Sequence, residues 1–125
     1  TEIGLAEPDL QAQNIPLTVK EYSFFMRALY NGSYLSINDS EFGTELLSHS
    51  DFVSGLVSGL PQDTKVAHKF GEAGDDLNSH FSESAIVYVN NSPYLLTVMT
   101  KGKYMKALPA VISNISKKVY QMISI

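Results

Sequence analysis

Two apolar runs, Ala85 to Val89 and Tyr94 to Met99, are separated only by Asn90-Asn91-Ser92-Pro93, and they set the terms on which this chain can fold. Both runs are rich in β-branched and aromatic residues, and neither alternates cleanly between apolar and polar. Successive side chains of a strand point to opposite faces, so a continuous apolar run needs both faces of its sheet covered. The polar, proline-containing connector reverses the chain, which makes the pair an antiparallel hairpin. Lys65 to Phe70 is a further β-like stretch and adds one more strand. The expected fold class is α/β in the broad sense (α+β), an antiparallel sheet with helices on both sides.

The helices that would do the covering are marked by their caps and their periodicity. Thr18-Val19-Lys20-Glu21 fits a capping box, in which the Thr18 hydroxyl accepts from the Glu21 N–H and the Glu21 side chain reaches back to the Thr18 N–H. Tyr22, Phe25, Met26, Leu29 and Tyr30 then follow at helical spacing as one buried stripe, and Asn31-Gly32 supplies a left-handed stop. Ser36 or Asn38 can cap a second helix carrying Phe42, Leu46 and Leu47. Phe52, Val53, Leu56 and Val57 predict a short third helix ending before Gly59-Leu60-Pro61. After Thr100-Lys101-Gly102, the recurrence of Met105, Leu108, Val111, Ile112, Ile115, Val119 and Met122 predicts a closing amphipathic helix, with Pro109 in its first turn. The residues before Thr18 read as a loop. No internal repeat, low-complexity stretch or linker divides the chain into more than one unit.

Composition excludes several function classes. With 9 basic and 13 acidic residues the net charge is −4, which argues against broad binding of nucleic acid or an anionic membrane. There is no cysteine, so disulfide frameworks and thiolate chemistry are ruled out. His49, His68 and His80 are too scattered for a metal-ligand spacing, and nothing in the chain calls for a metal or a cofactor. No apolar run reaches the roughly 18 residues that a transmembrane helix needs. Thr1-Glu2-Ile3-Gly4 has neither an initiating Met nor a signal-peptide layout, and the expectation is a start cut from a longer chain.

Lys65-Val66-Ala67-His68-Lys69-Phe70-Gly71-Glu72 reads as a short strand running into a Lys-x-Gly turn. Gly59-Leu60-Pro61 precedes it, and Ser84-Ala85-Ile86-Val87-Tyr88 and Pro93-Tyr94-Leu95-Leu96-Thr97-Val98-Met99-Thr100 follow. Together with the capped helix from Thr18 to Asn31 and the Tyr34-Leu35-Ser36 helix start, this order resembles the C-terminal portion of class A β-lactamase-like, penicillin-recognising serine hydrolases. The likeness runs from about Leu17 to Ile123. The family's motifs are S-x-x-K, S-D-N and K-T-G, and only the third has a counterpart here, Lys69-Phe70-Gly71. No Ser in the sequence has Lys three residues later, and no Ser-Asp-Asn occurs. The resemblance therefore implies one partial domain over residues 1–125, helical over 18–60 and with three strands plus the terminal helix over 64–125. The nucleophile helix and the N-terminal strands of the sheet would be missing.

What the resemblance implies for individual residues is specific. Lys69 would be the family's active-site lysine, a cation that holds a substrate carboxylate and steadies charge developing near the nucleophile. Gly71 would let substrate backbone approach, and the Glu72 N–H would be one donor of the oxyanion hole. Phe70 stands at a substrate-binding position where the family usually has Thr or Ser, so a hydroxyl that helps bind the carboxylate is lost. Glu7-Pro8-Asp9-Leu10 resembles the family's Glu-Pro-Glu-Leu loop, which makes Glu7 the candidate for positioning the deacylating water, although few residues separate it from Thr18.

The expected function is that of a serine hydrolase acting through an acyl-serine on β-lactams or peptidoglycan-like amides, extracytoplasmic in location, with this chain alone inactive. The expected partners are a small-molecule β-lactam or a cell-wall peptide, with no nucleic acid and no transmembrane segment. Tyr94 to Thr100 would pair with a missing strand, leaving an apolar edge open to self-association. The alternative is a non-catalytic relative that binds cell-wall glycopeptide or a protein partner, with Phe70 as an exposed aromatic. A small α/β binding domain with an accidental likeness is a third reading. Simpler roles are assigned elsewhere: His68 alternates to the face opposite Lys69 and is structural or solvent-facing, Gly74 to His80 is a polar loop, and Lys101, Lys103, Lys106, Lys117 and Lys118 form a solvated basic end.

Overall fold

The computed structural model describes Leu5, Gln11, residues 15–90 and residues 92–124. Three strands, β1 (Lys65–Gly74), β2 (Ser79–Tyr88) and β3 (Tyr94–Gly102), form an antiparallel meander in the order β1-β2-β3. Residues directly opposite one another share a face. Val66, His68 and Phe70 therefore lie with Val87, Ala85 and Glu83 of β2, and on β3 with Tyr94, Leu96 and Val98. Ala67 and Lys69 lie with Ile86 and Ser84 on the other face, together with Leu95 and Thr97.

Each face has its own helical cover, as the unbroken apolar runs require. Helix α3 (Leu108–Ile123) and the 3-10 turns Leu56–Gly59 and Met105–Ala107 lie on the first face, where Leu56, Phe81, Val87, Leu108 and Ile112 make one buried cluster. Helices α1 (Val19–Asn31) and α2 (Ile37–Ser48) lie on the second, where Met26, Ala67 and Ile86 are buried with Leu29 and Leu47 against them. The Gly-Leu-Pro segment gains a reason here: a Cβ at Gly59 would run into the Ser113 carbonyl, so only glycine lets α3 come this close. Ser58 Oγ donates to Ser113 Oγ across the same contact at 2.8 Å. Among the described residues, no helix is long and apolar enough to cross a membrane.

The caps are as the sequence implies. Thr18 Oγ1 accepts from Glu21 N at 3.1 Å and Glu21 Oε1 accepts from Thr18 N at 3.0 Å, while Gly32 ends α1 in the left-handed region at φ 61°. Ser36, and not Asn38, caps α2. Pro109 sits in the first turn of α3.

Other expectations need correction. The predicted third helix is only the 3-10 turn Leu56–Gly59, with Phe52 and Val53 outside it, and Met105, expected in the closing helix, lies in the separate 3-10 turn before it. The helical stripes are narrower than their periodicity suggests: Phe25 and Tyr30 of α1, Phe42 and Leu46 of α2, and Val111 and Met122 of α3 are exposed. Strands β1 and β2 are both longer than expected, and Lys69-Phe70-Gly71-Glu72 lies within β1, paired with Ser84 to Phe81, and not at a turn. The polar stretch from Gly74 to His80 hid this. Asp75 Oδ1 accepts from the N–H groups of Leu77 and Asn78, both at 2.9 Å, and closes a tight turn that lets the ladder run out to Gly74 and Ser79. Asn91, in the connector to β3, lies outside the described residues.

One charged group sits at the centre of the first face. Glu83 is fully buried; its Oε2 is 2.7 Å from Nδ1 of His68, itself 3% exposed, and its Oε1 accepts from Leu56 N at 2.8 Å. A Cβ at Gly55 would overlap that Oε1, so the backbone before the 3-10 turn comes right up to the carboxylate. A charge taken out of water must be fully partnered, and both oxygens of Glu83 are.

Two outcomes follow from this packing. Glu83→Ala strands the His68 ring and the Leu56 N–H, and chemical denaturation should show a loss of about 3–5 kcal/mol, with Glu83→Gln recovering part because it keeps an acceptor. The second concerns alkali. The Tyr94 hydroxyl is shut off from solvent with no hydrogen-bond partner among the described residues, and burial raises its pKa above the ordinary 10.0. The folded pKa being the higher, its contribution is complete below about pH 10 and is lost as pH rises beyond that, because the unfolded chain ionises first. Tyr94→Phe should be at least as stable at pH 7 and lose stability less steeply above pH 10 in pH-dependent denaturation.

Candidate functional site

The residues singled out by the Lys-x-Gly pattern are consecutive on β1, an edge strand with no second neighbour among the described residues. Alternation sends Lys69 and Phe70 to opposite faces, and their surroundings differ accordingly. The Phe70 ring is half-buried and packs on Phe52, centroids 4.3 Å apart, and on Phe81 at 5.8 Å. It is part of an aromatic cluster below the strand and does not stand out as a free binding surface. The expectation of an exposed aromatic is therefore not met.

Lys69 is exposed and starts on the α1 side of the sheet. Its ammonium contacts the Phe70 carbonyl oxygen and lies 4.7 Å from the centre of the Phe70 ring, on the other face. The side chain therefore curls round the free edge of the strand. The Tyr22 hydroxyl of α1 donates to the Lys69 carbonyl at 3.3 Å, and its pKa is raised by burial and then by the Glu83 charge. An apolar cavity of about 370 Å³ opens beside Lys69, between α1 and the sheet, lined by Leu17, Tyr22, Phe25, Met26 and Ser84 among others. Ser84, opposite Lys69 on β2, is buried and hydrogen-bonded to Thr97 Oγ1 at 2.8 Å.

Gly71 lies opposite Ser82, where an added Cβ would meet only ordinary contact, and Glu72 is exposed opposite Phe81. Glu7 lies outside the described residues. Four of the five candidates thus share one strand edge, with an apolar cavity opening on its α1 side. His68 is structural, buried on the far face as alternation requires.

Glu83 is the residue that sequence reasoning missed. Its signal was present: it falls two residues from both Phe81 and Ala85, on the face that carries the core, and registers next to His68 across the hairpin. A carboxylate on a buried strand face must have a fixed partner.

Among curated proteins, none matches the chain. The family model of the beta-lactamase enzyme family matches residues 3–123. Among solved structures, the chain is similar to a beta-lactamase from Streptosporangium roseum, with 18% identity and a TM-score of 0.73 over 91% of this chain and 44% of that one. It is also similar to a beta-lactamase from Francisella tularensis, with 17% identity and a TM-score of 0.72 over 98% and 47%. A mutant of PBP-A, captured as an acyl-enzyme complex with penicillin G, aligns at 16% identity with a TM-score of 0.67 over 90% and 45%. The chain spans less than half the length of each of these structures. These likenesses carry the fold, and the match of the family model over nearly the full sequence carries the kinship: the chain belongs to the beta-lactamase enzyme family.

Proposed function

We propose that this chain is the C-terminal portion of a serine hydrolase that opens β-lactams or peptidoglycan-like amides through an acyl-serine intermediate. The observation that carries the reading is the placement of Lys69 at the free edge of β1, next to an apolar cavity on the α1 side, within a sequence that matches the family over residues 3–123. A serine hydroxyl attacks the amide carbonyl, the carbonyl oxygen takes up negative charge, and the C–N bond breaks with a proton passing to the departing nitrogen. In this scheme Lys69 holds the substrate carboxylate, Gly71 lets the substrate come close, and the Glu72 N–H donates to the oxyanion. Phe70, its ring packed on Phe52 and Phe81, contributes no hydroxyl.

The serine and its base belong to residues outside these 125, since the sequence has neither S-x-x-K nor S-D-N. Glu7 is the proposed carboxylate for the water that releases the acyl group. Penicillin as an acylating substrate is suggested by the PBP-A mutant, whose complex is with penicillin G. An extracytoplasmic location goes with substrates of this kind. The outer edge of β3, apolar from Tyr94 to Met99, is the proposed seat of a further strand.

The protein translated from the whole reading frame should be labelled covalently by fluorescent penicillin, and Lys69→Ala should slow labelling by a factor of about 10² or more, as loss of a preorganised electrostatic donor does elsewhere. Resistance both to that reagent and to an activated phosphonate would favour the non-catalytic reading, a relative that binds glycopeptide or a protein partner. For the β3 edge, native mass measurement of the 125-residue chain alone should show self-association that Thr97→Pro reduces. A monomer whose β3 amides are all protected from exchange would remove the edge from consideration.

A further inference from the structure

Strand β1 has a neighbour on one side only among the described residues, so the backbone of its outer half is placed largely by what lies above and below the sheet. From below, His68 is tied to Glu83 at 2.7 Å, and the Phe70 ring packs on Phe52 and Phe81. Past Gly71 the strand loses its cover, and Glu72, Ala73 and Gly74 are exposed. From above, the Tyr22 hydroxyl donates to the Lys69 carbonyl at 3.3 Å, the one hydrogen bond between α1 and β1 among the described residues. Consecutive residues of the edge strand are therefore held from opposite faces, His68 through its side chain and Lys69 through its carbonyl.

Tyr22 can serve as an anchor because its own backbone is tied down. It ends the first turn of α1, where its N–H donates to the Thr18 carbonyl at 2.9 Å and the capping box of Thr18 and Glu21 closes the turn beneath it. One turn further on, Met26 is buried with Ala67 and Ile86 and seats the helix on the sheet. The Tyr22 ring is half-buried and lines the same apolar cavity as Lys69 and Ser84. Burial, and then the Glu83 charge, raise the pKa of its hydroxyl above the ordinary 10.0, so at neutral pH it is a hydrogen-bond donor and not a base. The contact spares the Lys69 side chain: Tyr22 reaches the carbonyl, while the ammonium lies at the Phe70 carbonyl and ring. A hold on the backbone alone leaves the ammonium free to turn to a substrate.

We propose that Tyr22 is a positioning residue for Lys69: its hydroxyl fixes the Lys69 carbonyl and so sets the point on the strand edge from which the ammonium is presented. The role rests on the hydrolase reading. Misplacing a catalytic group by about 1 Å can cost about 10²-fold in rate, so a single hydrogen bond to its backbone is worth measuring. The test uses the protein translated from the whole reading frame in four forms, the parent, Tyr22→Phe, Lys69→Ala and the two changes together, each followed for its rate of covalent labelling by fluorescent penicillin. Tyr22→Phe removes the hydroxyl and keeps the ring; it should slow labelling about fivefold, with a melting temperature within about 2 °C of the parent's. In the Lys69→Ala background the same change should leave the rate as it was, because the group that Tyr22 places is gone. Equal slowing in both backgrounds would make Tyr22 a general support of the fold and overturn the role, as would a Tyr22→Phe rate equal to the parent's. A parent that takes no label overturns the hydrolase reading itself, and the role of Tyr22 falls with it.

Discussion

A carboxylate in the middle of an apolar face has to be tied down on every side, and Glu83 imposes that demand on three separate pieces of this fold. Its two oxygens engage His68 of β1 and the backbone N–H of Leu56, while Gly55 leaves room for the chain to reach it. The same contacts therefore set where β1 lies against β2 and where the 3-10 turn docks. Replacing the pair by well-packed apolar groups need not cost stability, whereas removing one member leaves the other without compensation. What the arrangement supplies is position, since hydrogen bonds have direction and apolar contacts do not.

From that anchor the two faces take different characters. Below β1, Phe52, Phe70 and Phe81 pack around the Glu83–His68 pair and join the core under α3. Above it, α1 leaves a cavity beside Lys69. The proposed active edge is the boundary between a rigid, fully packed side and a side with room for a ligand. Phe70 belongs to the rigid side, where its ring packs on Phe52 and Phe81.

Much of this was legible in the amino-acid sequence because local signals and packing demanded the same thing. The capping box at Thr18, the left-handed stop at Gly32 and the doubly covered strands are each dictated by a few adjacent residues. The extent of β1 and β2 was not legible, because Ser79 to Ser84 is polar enough to pass for loop and is held in the ladder by the side-chain bonds of Asp75. Periodicity also overstated the helical stripes. Phe42 and Leu46 recur at the right spacing, yet α2 offers the sheet mainly Leu47. At the site, the motif located the strand edge and missed its anchor, since Glu83 acquires a meaning only when the hairpin brings it beside His68.

The order of the strands has a consequence for how the chain comes off the ribosome. Among the described residues each strand pairs only with its neighbour in sequence, so these three strands join through short loops and need little of the slow search that distant pairings impose. By the time Gly102 is made, α1 and α2 already exist to cover one face, and domains made N-terminus first can begin to assemble. The other face, with Phe81, Val87 and Val98, gains α3 only when Leu108–Ile123 has emerged from the exit tunnel. For that interval a nascent chain displays part of its core to water, and the docking of α3 covers it.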